Sequence, residues 1–336
     1  MAEIAHSVFG QSRGCSSVEV GPCRICANSE GNRRFFAHEM MFGTGERFAY
    51  TECAACGCLQ IEEIPADLSR YYTRSYYSFS LATPGILKSL MQTSRCRYAT
   101  EGKGLLGRLL LRVFHDPTVA SLAWAEVTRS SRILDVGCGT GRVLHQLRNA
   151  GFERVLGIDP YLDHELVYRN GLRILKRSIH EMDGQWDLVM FHHSFEHVSD
   201  PVETLRAAHR LLAENGCCLL RMPVASSYAW RHYRENWIQL DPPRHVFIPT
   251  TKSVESLAAQ TKFELQTVVF DSDEFQFWGS EQSLRNIAKE SNCSFGSSPP
   301  RSIFQRSQIR SFRRHSALLN ATGEGDQAAF YLRTLN

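Results

Sequence analysis

The sequence has no long hydrophobic run: nowhere in its 336 residues does an apolar stretch approach the ~20 residues that a membrane-spanning helix needs. The opening residues Met1-Ala2-Glu3-Ile4-Ala5-His6 lack the apolar core of an export signal. Net charge is also scarce. Lys and Arg number 38 against 35 Asp and Glu, and the resulting +3 is too small to argue for a nucleic-acid partner. With neither span nor export signal, a cytoplasmic, reducing setting is expected, where the 11 cysteines are thiols or metal ligands rather than disulfides. What is present, 43% hydrophobic and 22% charged residues, is globular in composition, and the length suits one large domain plus a smaller one.

The chain is organised around Ile133-Leu134-Asp135-Val136-Gly137-Cys138-Gly139-Thr140-Gly141. The apolar run reads as a buried parallel strand and the glycine cluster as a tight turn. The following residues, with Val143, Leu144 and Leu147 on one face, read as an amphipathic helix. Backbone N–H groups at such a helix start point at a ligand, and a Cβ in the loop would hold that ligand away. A dinucleotide fingerprint is spaced G-x-G-x-x-G; Gly137-x-Gly139-x-Gly141 is one residue tighter, with Asp135 just ahead.

Downstream, Arg154–Asp159 reads as a second strand ending in an acid, unless Asp159 merely caps the next helix. Leu172–Leu175 reads as the third strand and Trp186–Phe191 as the fourth, leading into His192-His193-Ser194-Phe195-Glu196-His197-Val198-Ser199-Asp200-Pro201. A helix over 202–212 and a fifth strand over Cys217–Pro223 follow. After a helix at Thr250–Gln260 come strand-like Phe263–Phe270 and Asp326–Arg333. The basic stretch Arg301–Arg314 reads first as a solvated helix face.

The D-x-G-x-G-x-G pattern resembles motif I of the class I S-adenosylmethionine-dependent methyltransferases. The stretch from Trp186-Asp187-Leu188-Val189 to Glu196-His197-Val198-Ser199-Asp200-Pro201 resembles the F-D-x-V…E-H-x-x-D-P segment of the branch that includes the ubiquinone and menaquinone methylases. The resemblance covers roughly residues 130–335. It implies an α/β fold with a doubly wound, seven-stranded, mostly parallel Rossmann-like sheet, its last strand inserting antiparallel near the chain end. It further implies that Asp135, Gly137, Cys138, Gly139 and Gly141 hold the amino-acid end of S-adenosyl-L-methionine and that Asp159 accepts its ribose hydroxyls. Relatives often carry an acid for the adenine where this chain has Lys176-Arg177, so that role passes to Ser178 and Ile179.

Ligands of open α/β sheets bind beyond the carboxyl ends of the strands. His192 is therefore expected beside the methionine part of the cofactor, and His193 and His197 as candidate general bases. Glu196 and His197 bracing the strand–helix corner is the competing reading. Asp241-Pro242-Pro243-Arg244 has only a superficial likeness to the D-P-P-aromatic signature of amino-methylating enzymes: it follows the fifth strand and its fourth residue is arginine. In that segment His245 is a further catalytic candidate, and Arg244 is either an anion-binding residue or part of a proline-braced loop.

Ahead of the catalytic half, residues 1–20, including Cys15, read as a flexible leader. Residues 21–62 read as a zinc-ribbon-like module. Cys23-Arg24-Ile25-Cys26 and Cys53-Ala54-Ala55-Cys56-Gly57 form two C-x-x-C knuckles, and four thiolates suit a closed, structural Zn2+ site; buried thiols are the alternative, and Cys58 is the less expected ligand. Residues 63–130 read as a tyrosine-rich connector (Tyr71-Tyr72 and Tyr76-Tyr77-Ser78-Phe79) with a helical segment, and 131–336 as the methyltransferase domain. The tyrosines either line a substrate entrance or pack the small domain onto the large one.

This front end resembles a bacterial subgroup whose members often methylate sugars. The resemblance implies methyl transfer to a hydroxyl (or carbon) of a small molecule: a sugar, nucleotide-sugar or glycan. Two other readings are an RNA base methyltransferase with a zinc recognition module, disfavoured by the near-neutral charge, and a non-catalytic cofactor-binding scaffold.

Overall fold

The computed structural model describes residues 21–72, 85–114 and 116–335. The expected leader 1–20 and the tyrosines of Tyr76-Tyr77-Ser78-Phe79 lie outside the described residues. The strands, in chain order, are β1 (Arg33–His38), β2 (Arg47–Glu52), β3 (Leu59–Ile61), β4 (Ile133–Val136), β5 (Val155–Ile158) and β6 (Leu166–Val167). They continue as β7 (Arg173–Leu175), β8 (Trp186–His192), β9 (Leu212–Pro223), β10 (Phe247–Ile248), β11 (Phe263–Phe270) and β12 (Gln327–Thr334).

The large sheet runs β11-β12-β9-β8-β4-β5-β7-β6. Its centre is parallel, with β4 between β5 and β8. At the far side, β12 lies antiparallel between β9 and β11, so the expected late antiparallel insertion is present. The sheet has eight strands rather than the expected seven. The addition is the two-residue edge strand β6, which turns back through Gly171 at φ 79° to pair antiparallel with β7.

Alternation along these strands explains why both faces are covered. Successive side chains point to opposite sides of a sheet. Leu134, Val136, Val189, Phe191 and Leu220 therefore enter one core, and Ile133, Leu188, Met190 and Leu219 enter the other. The second core receives Val143, Leu144 and Leu147 from the helix Arg142–Ala150, the residues expected on its apolar face. Asp200 opens the helix Pro201–Leu211 by accepting a hydrogen bond from the Glu203 N–H, with Pro201 in the first turn, where no N–H is needed.

A second sheet, β1-β2-β3-β10, is built on the cysteine-bearing segment. Its fourth strand comes from residues 247–248, and its core mixes Tyr50, Leu59 and Ile61 with Trp230, Trp237, Val246 and Phe277. The catalytic half thus covers one face of these three short strands.

Ahead of β12, Asp326 is buried and accepts a hydrogen bond from the Trp237 indole N–H at 3.0 Å. Burial pushes its carboxyl up to about 7. The native state thus binds a proton between the ordinary carboxylate range and about pH 7 that the unfolded chain has already released. Stability is expected to fall as pH rises through that window. Asp326→Asn, which keeps an acceptor for Trp237, is expected to flatten the decline in urea unfolding midpoints between pH 4 and pH 8.

Candidate active site

Strand order reverses between β4 and β8, and in open α/β sheets the ligand crevice lies at such a switch point. The glycine loop leaves β4 here. Gly137 has φ 71°, and a Cβ on it would sit 2.5 Å from the Ser194 Cβ, so the loop lies tight against the segment leaving β8. Ser194 ties the two together by donating its hydroxyl to the Val136 carbonyl at 2.6 Å. Asp159, at the end of β5, reaches back across the loop. One of its oxygens accepts the Gly139 N–H and the other the Tyr161 N–H, each at 2.9 Å.

Asp135 is 3% exposed, and its Oδ1 has no hydrogen-bond partner among the described residues. Burial, then the neighbouring Asp159, push its carboxyl well above the usual range. An unpaired buried carboxylate beside a second one fits a ligand that brings positive charge and N–H donors, as the amino-acid end and sulfonium of S-adenosylmethionine do. His192, at the end of β8, has both ring nitrogens buried and without partners among the described residues; burial and the Arg221 charge keep it neutral. The adenine expectations fare differently. The Ser178 hydroxyl is spent on Glu181, and the Ile179 side chain is 4% exposed in the core, so neither side chain is free for a ligand.

Four ionisable side chains gather next to this cradle. Glu196 is fully buried, and neither of its oxygens has a hydrogen-bond partner among the described residues. His193 Nδ1 stands 3.3 Å from Glu196 Oε1, out of line for a full hydrogen bond, and the neighbouring histidines hold the carboxyl down at about 2. His193 Nε2 meets the Arg221 guanidinium at 2.5 Å. A guanidinium only donates, so that nitrogen's lone pair is occupied and Nδ1 carries the proton. This corrects the expectation of His193 as a general base: it has no free lone pair. Arg221, 3% exposed and bonded to Asp271 at 2.6 Å, is a positioning residue that sequence alone did not mark.

His197 donates Nδ1–H to the Arg244 carbonyl at 2.7 Å, which leaves its Nε2 as the lone pair. Tyr72 stands at 3.3 Å from the same Nδ1 and stacks at 6.3 Å on Tyr161, two residues after Asp159. Through Tyr72 and Tyr161, whose N–H Asp159 accepts, the histidine adjoins the cradle. His245 donates Nδ1–H to the Gln239 carbonyl at 2.6 Å and lies 5.0 Å, centroid to centroid, from His197; burial lowers it to about 4. Arg244 is not an anion-binding residue. It is 0% exposed, and Asp241, Glu39 and the Tyr71 carbonyl take up its donors, so the proline-braced reading of this loop is the fitting one.

In the small sheet, Cys23 Sγ lies 3.6 Å from Cys56 Sγ and Cys26 Sγ 3.5 Å from Cys53 Sγ, with all four sulfurs within 4.8 Å of one another. Four sulfurs bonded at ~2.3 Å to one tetrahedral ion would be separated by about these distances. Cys58 donates to the Leu59 carbonyl at 3.4 Å.

A doubly wound sheet with a glycine loop, two acids and a histidine-lined crevice at its switch point defines a cofactor-binding α/β enzyme. The family described as a methyltransferase domain matches residues 98–268, just over half of the chain. The chain belongs to this family, and those residues form a methyltransferase domain of the S-adenosylmethionine-dependent kind. A ubiquinone biosynthesis O-methyltransferase of Pseudomonas aeruginosa is 34% identical over 133 residues, covering 34% of this chain and 57% of that one. One from Ruegeria pomeroyi is 36% identical over 95 residues, covering 25% and 38%. The matches thus span about half the length of these curated relatives. Among solved structures, the cyclopropane synthase MmaA2 from Mycobacterium tuberculosis aligns at 15% identity over 76% of this chain and 100% of that one, with a TM-score of 0.41.

Proposed function

We propose that the chain transfers the methyl group of S-adenosylmethionine to a hydroxyl of a small-molecule acceptor. The observation that carries this reading is the Nε2 lone pair of His197, its tautomer set by the Arg244 carbonyl, on a histidine that adjoins the Asp135–Asp159 cradle through Tyr72 and Tyr161. When bound, the cofactor supplies a methyl group already activated on sulfonium. The protein's task is then to align an oxygen in line with it and to take up the hydroxyl proton. Asp135 and Asp159 hold the cofactor, His192 lines its methionine side, and His197 receives the proton. The O-acceptor reading is supported by the relatives' names, which refer to ubiquinone biosynthesis; those names give the sugar or glycan expectation no support. The four cysteines are read as a structural Zn2+ site that rigidifies the small sheet.

The test is transfer of labelled methyl from S-adenosylmethionine by the purified protein to three pools: hydroxylated aromatic compounds, nucleotide-sugars and RNA. Label in a small-molecule pool is expected. His197→Gln is expected to lower kcat by roughly 10²- to 10⁴-fold, the usual worth of a positioned base, with S-adenosylhomocysteine affinity unchanged. Label in RNA alone would overturn the small-molecule reading, and a failure of the protein to bind S-adenosylhomocysteine would overturn the assignment of the cradle.

A further inference from the structure

Glu196, His197 and His245 are disposed as ligands rather than as braces. Each offers one donor atom, and the three donors lie within 4.8 Å of one another. Glu196 is fully buried with neither oxygen hydrogen-bonded among the described residues, a costly position for a carboxylate unless a cation meets it. The two histidines are oriented as metal ligands commonly are. Each uses Nδ1–H on a backbone carbonyl, Arg244 at 2.7 Å and Gln239 at 2.6 Å, and keeps Nε2 as a lone pair. The imidazole N–H that faces the carboxylate, His193 Nδ1–H, stands 3.3 Å from Oε1 without forming a hydrogen bond to it. On the same oxygen, His245 Nε2 stands 3.9 Å away with no proton to give. Two bonds of ~2.0–2.2 Å to a shared ion bridge such a gap. His193, which also stands next to Glu196 Oε1, is excluded from the ligand set because Arg221 occupies its lone pair.

We propose that Glu196, His197 and His245 bind a divalent transition-metal ion, separate from the four-cysteine site. Two imidazoles and one carboxylate select Zn2+, Co2+ or Fe2+ over the oxygen-seeking Mg2+ and Ca2+. Three protein ligands leave room for a fourth, the acceptor hydroxyl. The inference rests on the methyl-transfer reading of this site and changes one step of it. A hydroxyl coordinated to a dication ionises more readily, so its O–H bond breaks with the proton going to water rather than to His197. The S–CH3 bond then breaks as the O–CH3 bond forms, giving the methyl ether and S-adenosylhomocysteine.

The experiment uses the full chain, equilibrium-dialysed against Zn2+, with metal per chain measured for the wild type, Glu196→Gln and His245→Gln. The four-cysteine site is common to all three proteins. The expected result is one further equivalent in the wild type, with affinity for it weakened about 100-fold or more in each variant. Co2+ provides a second readout, since a site of nitrogen and oxygen donors adds visible ligand-field bands without thiolate charge-transfer absorption. Equal metal uptake by the three proteins overturns the site. Calorimetry with S-adenosylhomocysteine on the same samples separates the two readings. Equal uptake with the analogue bound removes the metal and leaves the methyltransferase assignment standing, whereas a wild type that does not bind the analogue overturns that assignment. Should Glu196→Gln not fold, His245→Gln carries the same comparison.

Discussion

Replacing Arg244 by leucine is expected to lower the unfolding free energy by about 3–5 kcal/mol, the typical cost of removing one member of a buried ion pair. The guanidinium donates Nε to Asp241 Oδ2 at 2.9 Å, Nη2 to Asp241 Oδ1 at 2.6 Å and to Glu39 Oε1 at 2.9 Å, and Nη1 to the Tyr71 carbonyl at 3.3 Å. Arg244 and Glu39 are both 0% exposed. Leucine would fill part of the space and leave Glu39, among the described residues, the N–H groups of Met41, Phe42 and Thr44 and the Thr44 hydroxyl to offset its charge. The Arg244 charge also outweighs burial at Asp241 and holds that carboxyl at about 2, so the variant strands a second anion. Urea unfolding is the measurement, with an unchanged slope and a shifted midpoint. Adding Glu39→Gln to Arg244→Leu should recover part of the loss, because it removes one of the stranded charges. A midpoint within experimental error of the wild type would mean that the triad is solvated rather than buried.

Asp135→Asn is expected to act in opposite directions on binding and on stability. With the cofactor absent, Asp135 is a carboxyl group at 3% exposure beside Asp159, its Oδ1 without a partner among the described residues, and replacing it by a neutral amide relieves both burial and repulsion. The ligand-free variant should therefore unfold at a higher temperature than the wild type. Its affinity for S-adenosylhomocysteine should fall by roughly 10- to 100-fold, the worth of one charge-assisted hydrogen bond. Calorimetric titration and a thermal melt on the same preparation test both halves. A variant that binds as tightly as the wild type would remove Asp135 from the cofactor site. This is the familiar tension between a preorganised site and the stability of the fold that carries it.

The cradle was legible in the sequence because its determinants are local. Asp135, the three glycines and the apolar strand before them sit within nine residues, and Asp159 closes the next strand at a spacing the chain itself displays. The two-residue strands β6 and β10 were not legible, since so short a pairing leaves no periodic signal. The histidines were visible as candidates but not distinguishable from one another. What separates them are partners far away in sequence: Arg221 occupies the lone pair of His193, while carbonyls at 244 and 239 orient His197 and His245. The two readings of Arg244 stayed open for the same reason, because its partner Glu39 lies about 200 residues earlier. Glu196 was read only as a brace. Its burial without a partner is a property of the packed chain that no motif encodes.

Both sheets are closed by strands that come late. β3 is near residue 60, yet its outer neighbour β10 lies about 190 residues further along. In the large sheet, β9 and β11 are not joined until β12, the last strand of the chain, slides between them. During synthesis the edge of β3 therefore stays unpaired while more than half of the polypeptide emerges, and the flanks of β9 and β11 wait for the segment at Gln327–Thr334. Contacts of such sequence separation are slow to form, and open strand edges invite association with other chains in the meantime. A nascent chain stalled before residue 327 should thus hold a half-closed sheet, whose fate depends on chaperones more than on its own final stability.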